Sequence, residues 1–310
     1  MSEAGTTRGG VWTTRRLLAW MGEAFGRRGL DSPRLQAEML LSHVIGCDRL
    51  RLYTDPDRPA SPLERQSLRD LVARALEHEP IQYLVGEAWF FGLPFKVDRR
   101  VLIPRPSTET IVEHVLQHAR TTPGFGGKSG EGVLLADVCT GSGCIAVAIL
   151  KHLAGARAVA TDLSAEALAV AHDNAVRHGV IDRLDLLAGD LLSPLEEFPA
   201  TRGAGSLHYL VSNPPYIPDH EWEDVAPNVK DHEPTSALRA GSDGLRYIVP
   251  LLEGAPRLLR PGGLLLIEAA ASTAERVRLL ATQHPDLEEP AVLKDFEDLP
   301  RVVVARRRER

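Results

Sequence analysis

Apolar residues recur at helical spacing across residues 13–78, as in Leu17, Leu18, Met21 and Phe25, then Leu40, Leu41, Val44 and Ile45, then Leu63, Leu68, Leu71 and Leu76. This pattern predicts a small helical domain. Asp31-Ser32-Pro33 reads as a cap followed by a helix-starting proline, and the Asp- and Pro-rich stretch 53–62 breaks the pattern between helices. Over 79–106 the pattern changes. Trp89, Phe90, Phe91, Phe95, Val97, Val101, Leu102 and Ile103 gather around a Gly92-Leu93-Pro94 break, which predicts a hairpin. A helical stretch follows over 108–119, and residues 121–132, rich in Gly, Ser and Thr, read as a mobile loop.

Beyond that loop, strand-like and helix-like patterns alternate. Strands are expected over 134–138, over 156–160 with Asp162 at its end, and over 184–188, 209–212 and 264–267; helices are expected over 145–153, 165–178 and 245–259. Such alternation calls for an α/β fold whose parallel sheet is covered on both faces and binds ligands beyond the carboxyl ends of its strands. The runs 291–293 and 302–304 are placed to close the sheet as a hairpin, and the arginine-rich 306–310 reads as a solvated tail. The chain therefore divides into a helical domain over 1–85, a hairpin connector over 86–106 and a larger domain over 107–310. The helical domain reads either as a substrate-recognition module or as a structural cap. No repeat of solenoid length is present.

The residues with chemical potential sit where the strands end. Asp137-Val138-Cys139-Thr140-Gly141-Ser142-Gly143-Cys144 joins the first predicted strand of the larger domain to its helix, where glycines let the backbone approach a ligand and helix-start N–H groups point outward. Gly141, Gly143 and Ala146 also satisfy a dinucleotide-binding pattern, so the loop alone leaves a dehydrogenase open. Asp162, ending the next strand, is placed to accept ribose hydroxyls, and Asp190, in Gly189-Asp190-Leu191, to border an adenine; the alternative for either aspartate is a helix cap. Asn213-Pro214-Pro215-Tyr216 discriminates among these. Consecutive prolines stiffen the backbone and remove two N–H donors, so the Asn213 side-chain oxygen and the Pro214 carbonyl can each take one N–H of a planar amide while Tyr216 packs on its plane. An amide nitrogen is a weak nucleophile and needs positioning and a strong leaving group, which the sulfonium of S-adenosylmethionine supplies. Arg105, in Ile103-Pro104-Arg105-Pro106, is a candidate substrate contact; the alternative is a structural salt bridge.

Composition narrows the choice. With 310 residues, 44% of them hydrophobic, the chain can bury a sizeable core, and a net charge of −6 argues against wrapping nucleic acid through bulk charge. Three scattered cysteines, Cys47, Cys139 and Cys144, fit neither a disulfide framework nor a zinc site, so a reducing, cytoplasmic compartment is expected, with no metal. Residues 1–10 lack the apolar core of a signal peptide, and no apolar run approaches the roughly 20 residues that span a bilayer.

These motifs together resemble the HemK-type protein-glutamine N(5)-methyltransferases, which methylate the glutamine of the Gly-Gly-Gln motif in class I peptide chain release factors. The resemblance covers almost the whole chain. It includes Glu79-Pro80-Ile81-Gln82-Tyr83-Leu84-Val85-Gly86, Phe91-Gly92-Leu93, Leu102-Ile103-Pro104-Arg105-Pro106 with Glu109, the glycine loop, Asn213-Pro214-Pro215-Tyr216-Ile217, and Glu233-Pro234 followed by Gly241-Ser242-Asp243-Gly244-Leu245. It implies a Rossmann-like class I S-adenosylmethionine methyltransferase domain, with cofactor held by Cys139, Thr140, Gly141, Ser142, Gly143 and Asp162, and with Asn213 bordering both cofactor and substrate. Release factors are the implied partners, without membrane or direct nucleic-acid binding.

Leu191 stands where some relatives carry a cofactor-stacking aromatic, Ser107 where an acidic residue is common, and Glu268-Ala269-Ala270-Ala271 lacks a usual glycine and glutamine. The Asp137–Cys144 loop and His232 before Glu233-Pro234 are also similar to the sister branch that modifies a large-subunit ribosomal protein. That substrate is the first alternative; a nucleic-acid adenine amino methyltransferase, which can use the same clamp after base flipping, is the second. An oxidoreductase linked to NAD leaves Asn213-Pro214-Pro215-Tyr216 unexplained, and the intact tetrapeptide argues against a non-catalytic S-adenosylmethionine-binding adaptor.

Overall fold

The computed structural model describes residues 11–202 and 205–309. Residues 1–10, read above for a leader, and Arg310 of the basic tail lie outside the described residues. Contacts separate two units, Met1–Gly86 with Pro227–His232, and Glu87–Ala226 with Glu233–Arg310.

The first unit is helical: α1 (Thr14–Arg28), α2 (Pro33–Ile45), α3 (Arg51–Thr54), α4 (Pro62–Leu76) and α5 (Ile81–Val85). Met21, Phe25, Leu40, Leu41 and Leu68, all on the predicted apolar stripe, are almost fully buried against one another. Local chemistry sets the helix starts. The Thr13 side chain caps α1 by accepting from Arg16 N–H, and Ser61 with Glu64 forms a reciprocal capping box at α4. Ser32 departs from its expected role: its backbone is left-handed and its side chain caps nothing, so α2 starts on Pro33 alone.

The second unit begins with a hairpin, β1 (Glu87–Phe90) and β2 (Leu93–Lys96), whose turn puts Phe91 and Gly92 at φ of 50° and 73°. Two positive φ angles match the twist of paired strands, and the Glu109 carboxylate accepts from Phe91 N–H at 2.6 Å. There follow α6 (Glu109–Thr121), β3 (Leu134–Val138), α7 (Cys144–His152), β4 (Arg157–Asp162), α8 (Ala165–Arg177), β5 (Leu184–Ala188), α9 (Ser193–Glu197) and β6 (Leu207–Ser212). After the single turn α10 (Pro227–Lys230), which clusters with the first unit, come α11 (Ile248–Leu258), β7 (Leu259–Glu268), α12 (Ala274–Gln283), β8 (Leu287–Lys294) and β9 (Pro300–Arg307).

The sheet order is β5-β4-β3-β6-β7-β9-β8, parallel except for β9, which runs antiparallel to both neighbours. Strand residues alternate between two cores. Tyr209, Val211, Leu264 and Leu266 join α6 and α7 on one face, and Leu210, Leu265 and Ile267 join α11 and α12 on the other. The chain runs outward from β3 to β5 and then returns to β6 on the other side of β3, which opens a crevice at the carboxyl ends of these strands.

Two further expectations change. The 121–132 loop is anchored, because Phe125 is buried beside His118, Tyr209 and His208. The basic tail starts inside the sheet and is tied down: Arg306 and Arg307 end β9, Arg306 pairs with Glu288 and Glu289, Arg307 donates to the Leu259 carbonyl, and Arg308 donates to that of Leu287. Among the described residues, no helix is long and apolar enough to cross a membrane.

Candidate active site

A cleft of about 330 Å3, within the range of small-molecule sites, lies at the carboxyl ends of β3, β4 and β6. Its floor is the glycine loop. Asp137, fully buried at the end of β3, accepts from Thr140 Oγ1 at 2.7 Å and Ala146 N at 3.1 Å, while Thr140 N donates to the Thr161 carbonyl. Cys139 (φ 61°), Gly141 (φ 53°) and Gly143 (φ 78°) make the turn. The two glycines serve different ends. A Cβ on Gly141 meets nothing within 4 Å and faces open space, whereas one on Gly143 comes within 3.1 Å of the Ala171 side chain on α8. Cys139, Thr140, Gly141 and Ser142 line the cleft; Gly143 does not, and its requirement is helix packing.

Asp162 ends β4 with Oδ1 accepting from Ser164 N and Oδ2 from Gly141 N, both at 2.9 Å. Each carboxylate oxygen has further acceptor capacity, and the side chain faces the cleft. Burial raises its carboxyl above the usual range, against the pull of those backbone N–H groups. Asp190, exposed, and Leu191, at φ 46°, form the adjoining rim, with the Leu191 carbonyl held by Thr161 Oγ1 at 3.0 Å.

Asn213 follows β6, whose last residue, Ser212, is tied to the Val138 carbonyl at 2.7 Å. The Asn213 Nδ2 donates to Thr108 Oγ1 at 3.0 Å, while its Oδ1 is buried with no hydrogen-bond partner. Asn213 and Pro215 line the cleft, and Pro214 lies buried behind them. Tyr216 is turned away from the cleft. Its ring packs on the α11–α12 core and its hydroxyl is 3.5 Å from Glu268 Oε1, so it braces the segment and does not line a substrate plane. Arg105 likewise lies off the cleft, because Glu233, whose side chain is fully buried, takes its guanidinium at 2.5 Å and Ile103 N–H at 3.0 Å.

Two groups at the site leave little signal in the sequence. Asn174, fully buried on α8, exchanges hydrogen bonds with the Lys96 backbone and donates to the Ser142 carbonyl, which joins hairpin, helix and glycine loop. A buried asparagine inside an apolar stripe is the one signal the sequence offers for it. The second group is Glu268 with Ser107 and Thr108, which pointed out no role from the sequence beyond a departure from the family pattern.

Asp137 carries a pH prediction. Burial pushes its carboxyl up to about 7, against the bonds from Thr140 and Ala146. A folded-state value raised above the unfolded one stabilises the fold fully below about pH 4, and that contribution is lost as pH rises through about 7. Asp137→Asn keeps a carbonyl acceptor and never ionises. The Tm difference, variant minus wild type, is therefore expected to grow from about pH 5 to about pH 8.5 in calorimetric scans of the cofactor-free protein. A difference independent of pH rules out titration of Asp137 in this range.

The residues present fit S-adenosylmethionine: a glycine loop with backbone open to the cleft and, at the second strand end, an acidic side chain with acceptor capacity left toward the cleft. Fold and site together define a Rossmann-like class I methyltransferase that uses S-adenosylmethionine. Residues 126–231 match the methyltransferase small domain family, and residues 16–86 match the PrmC N-terminal domain. The chain is 42% identical to the release factor glutamine methyltransferase of Chlorobaculum tepidum over 94% of this chain and 96% of that one. It is 40% identical to the enzyme of that name from Geobacter sulfurreducens over 86% and 87%. The hMettl16 catalytic domain, solved in complex with an RNA hairpin from the MAT2A 3'UTR, shares the fold at 15% identity and a TM-score of 0.50, over 70% of this chain and 76% of that one. The chain belongs to the family of release factor glutamine methyltransferases.

Proposed function

We propose that this chain methylates the side-chain amide nitrogen of the glutamine in the Gly-Gly-Gln motif of class I peptide chain release factors. The observation that carries the reading is the Asn213 Oδ1, an acceptor buried at the cleft without a partner. A buried carbonyl left unpaired costs free energy, on the order of 1–3 kcal/mol, which a substrate N–H recovers. The names of the relatives support the same substrate.

The proposed roles follow from the positions. Cys139, Thr140, Gly141 and Ser142 offer backbone to the cofactor, Asp162 accepts its ribose hydroxyls, and Asp190 with Leu191 borders its adenine. Bound S-adenosylmethionine supplies an electrophilic methyl group. Asn213 Oδ1 takes one N–H of the glutamine, and Pro215 walls the cleft and keeps that nitrogen in register; the Pro214 carbonyl is assigned the second N–H on the sequence motif alone, since Pro214 itself lies behind the cleft wall. An amide held in this way would have positive charge stabilised on its nitrogen when it takes the methyl group that bound S-adenosylmethionine would supply, the S–CH3 bond breaking to leave a neutral thioether and one N–H proton passing to water. The proposed compartment is the cytoplasm, in keeping with three free thiols.

The test is incubation with labelled S-adenosylmethionine and, separately, release factors, ribosomal proteins and RNA, followed by mapping of the label. Label on the Gly-Gly-Gln glutamine is expected. Label confined to a ribosomal protein or to RNA overturns the substrate assignment.

The helical domain, 1–85, is proposed to select the protein partner, since the cleft is complete within the second unit. A chain beginning at Glu87 is expected to methylate an intact release factor at least about tenfold more slowly and a short Gly-Gly-Gln peptide at an unchanged rate. Equal rates on the intact factor reduce the domain to a structural role.

A further inference from the structure

Glu268, the last residue of β7, is completely buried, a place where a carboxylate persists only if its oxygens are met. The groups that meet it come from far along the chain. Ser107 Oγ donates to Oε1 at 3.0 Å and Thr108 Oγ1 to Oε2 at 2.6 Å, with the Tyr216 hydroxyl 3.5 Å from Oε1. Burial raises the Glu268 carboxyl, and the bonds from Thr108 and Ser107 oppose that rise. A hydroxyl has a single proton. Because Thr108 gives its proton to Glu268, its oxygen can only accept from Asn213, and the group 3.0 Å away must be the donor, Nδ2. Asn213 Oδ1 is then the free end of the amide. The direction of the bonds, Asn213 to Thr108 to Glu268, decides which end of Asn213 is available in the cleft.

We infer that Glu268, acting through Thr108, is a positioning residue that fixes the polarity of Asn213, so that the cleft presents an acceptor and selects glutamine over glutamate. This rests on the role proposed for Asn213. A glutamine brings N–H groups to Oδ1, whereas a glutamate sets oxygen against oxygen with no proton between them. The polarity can be reversed without changing shape. In Glu268→Gln the new amide can donate to Thr108, which is then free to turn its proton toward Asn213; the Asn213 amide rotates and presents its NH2 group to the cleft. Thr108→Val removes the relay altogether, and Thr108→Ser restores it.

Two readouts in the full-length protein test this. The first needs no substrate: the side-chain amide resonance of Asn213, assigned by its disappearance in Asn213→Ala, is followed for hydrogen exchange. The second is single-turnover methylation of a release factor carrying Gly-Gly-Gln, with competition by the same factor carrying Gly-Gly-Glu; Tm and S-adenosylmethionine affinity are measured in parallel. For Glu268→Gln we expect exchange at Asn213 to speed up at least about tenfold, turnover to fall about 30-fold, and the preference for glutamine over glutamate to shrink about tenfold, with cofactor affinity within about twofold. Thr108→Val is expected to behave likewise and Thr108→Ser to recover most of the loss, a pair that also decides the matter if Glu268→Gln does not fold. A folded Glu268→Gln with unchanged exchange and unchanged preference overturns the relay. Failure of the wild type to methylate the release factor overturns the proposed function instead, and the exchange readout still decides the relay.

Discussion

Asn213→Ala is expected to lower single-turnover methylation by about 10²–10³, the usual cost of one preorganised polar contact at a reacting centre, while S-adenosylmethionine affinity changes little. Truncation removes the proposed acceptor for the substrate N–H and also takes the Nδ2 donor from Thr108, whose oxygen keeps its bond to Glu268. Stability should therefore change less than rate. Asn213→Asp is the sharper variant. It keeps an oxygen toward the cleft but sets a second one against the Thr108 oxygen, where a donor stood, so it is expected to retain part of the activity that alanine abolishes. Near wild-type turnover in Asn213→Ala removes Asn213 from the reaction and with it the amide clamp.

Asp162→Ala is expected to weaken S-adenosylmethionine binding by roughly 10–10²-fold, since each hydrogen bond to a charged group contributes about 1.5–3 kcal/mol. The geometry adds a second cause. The carboxylate also holds Gly141 N–H and Ser164 N–H at 2.9 Å, so its loss loosens the glycine loop as well as removing the proposed ribose acceptor. Asp162→Asn keeps one acceptor oxygen and loses the charge, so one of the two backbone N–H groups loses its acceptor and an intermediate loss is expected. Calorimetric titration is the measurement. Unchanged affinity in folded Asp162→Ala excludes the carboxylate from the cofactor site.

The glycine loop and Asp162, proposed for the cofactor, were legible as neighbours because their placement is local. Glycines between a strand and a helix, and an acidic residue ending the next strand, are defined by neighbours a few positions away, and parallel strands bring those ends together in any such sheet. The alternation of elements was legible for the same reason: strands buried on both faces must be apolar throughout, and helices covering them must be apolar on one stripe. The arginines at the chain's end misled because a run of charge reads as solvated. Placing β9 between β7 and β8 occupies both backbone edges of that strand, and Glu288 and Glu289 across the ladder meet the charge.

What the residues determine by themselves is thus the element order, the two-faced core, the glycine loop, Asp162 and the stiff Asn213-Pro214-Pro215 segment. Only the tertiary structure decides how the side chains around that segment divide their hydrogen bonds. Arg105 and Tyr216 belong to the motifs themselves, Tyr216 reading as a substrate contact and Arg105 as either a substrate contact or a structural salt bridge, yet Glu233, 128 positions from Arg105, and Glu268, 52 from Tyr216, meet their polar ends away from the cleft lining. Thr108 reaches Asn213 across 105 positions and Glu268 across 160. A buried donor or acceptor must find a partner wherever the fold puts one, and the strand order, which places β7 next to β6, supplies partners that no local pattern records.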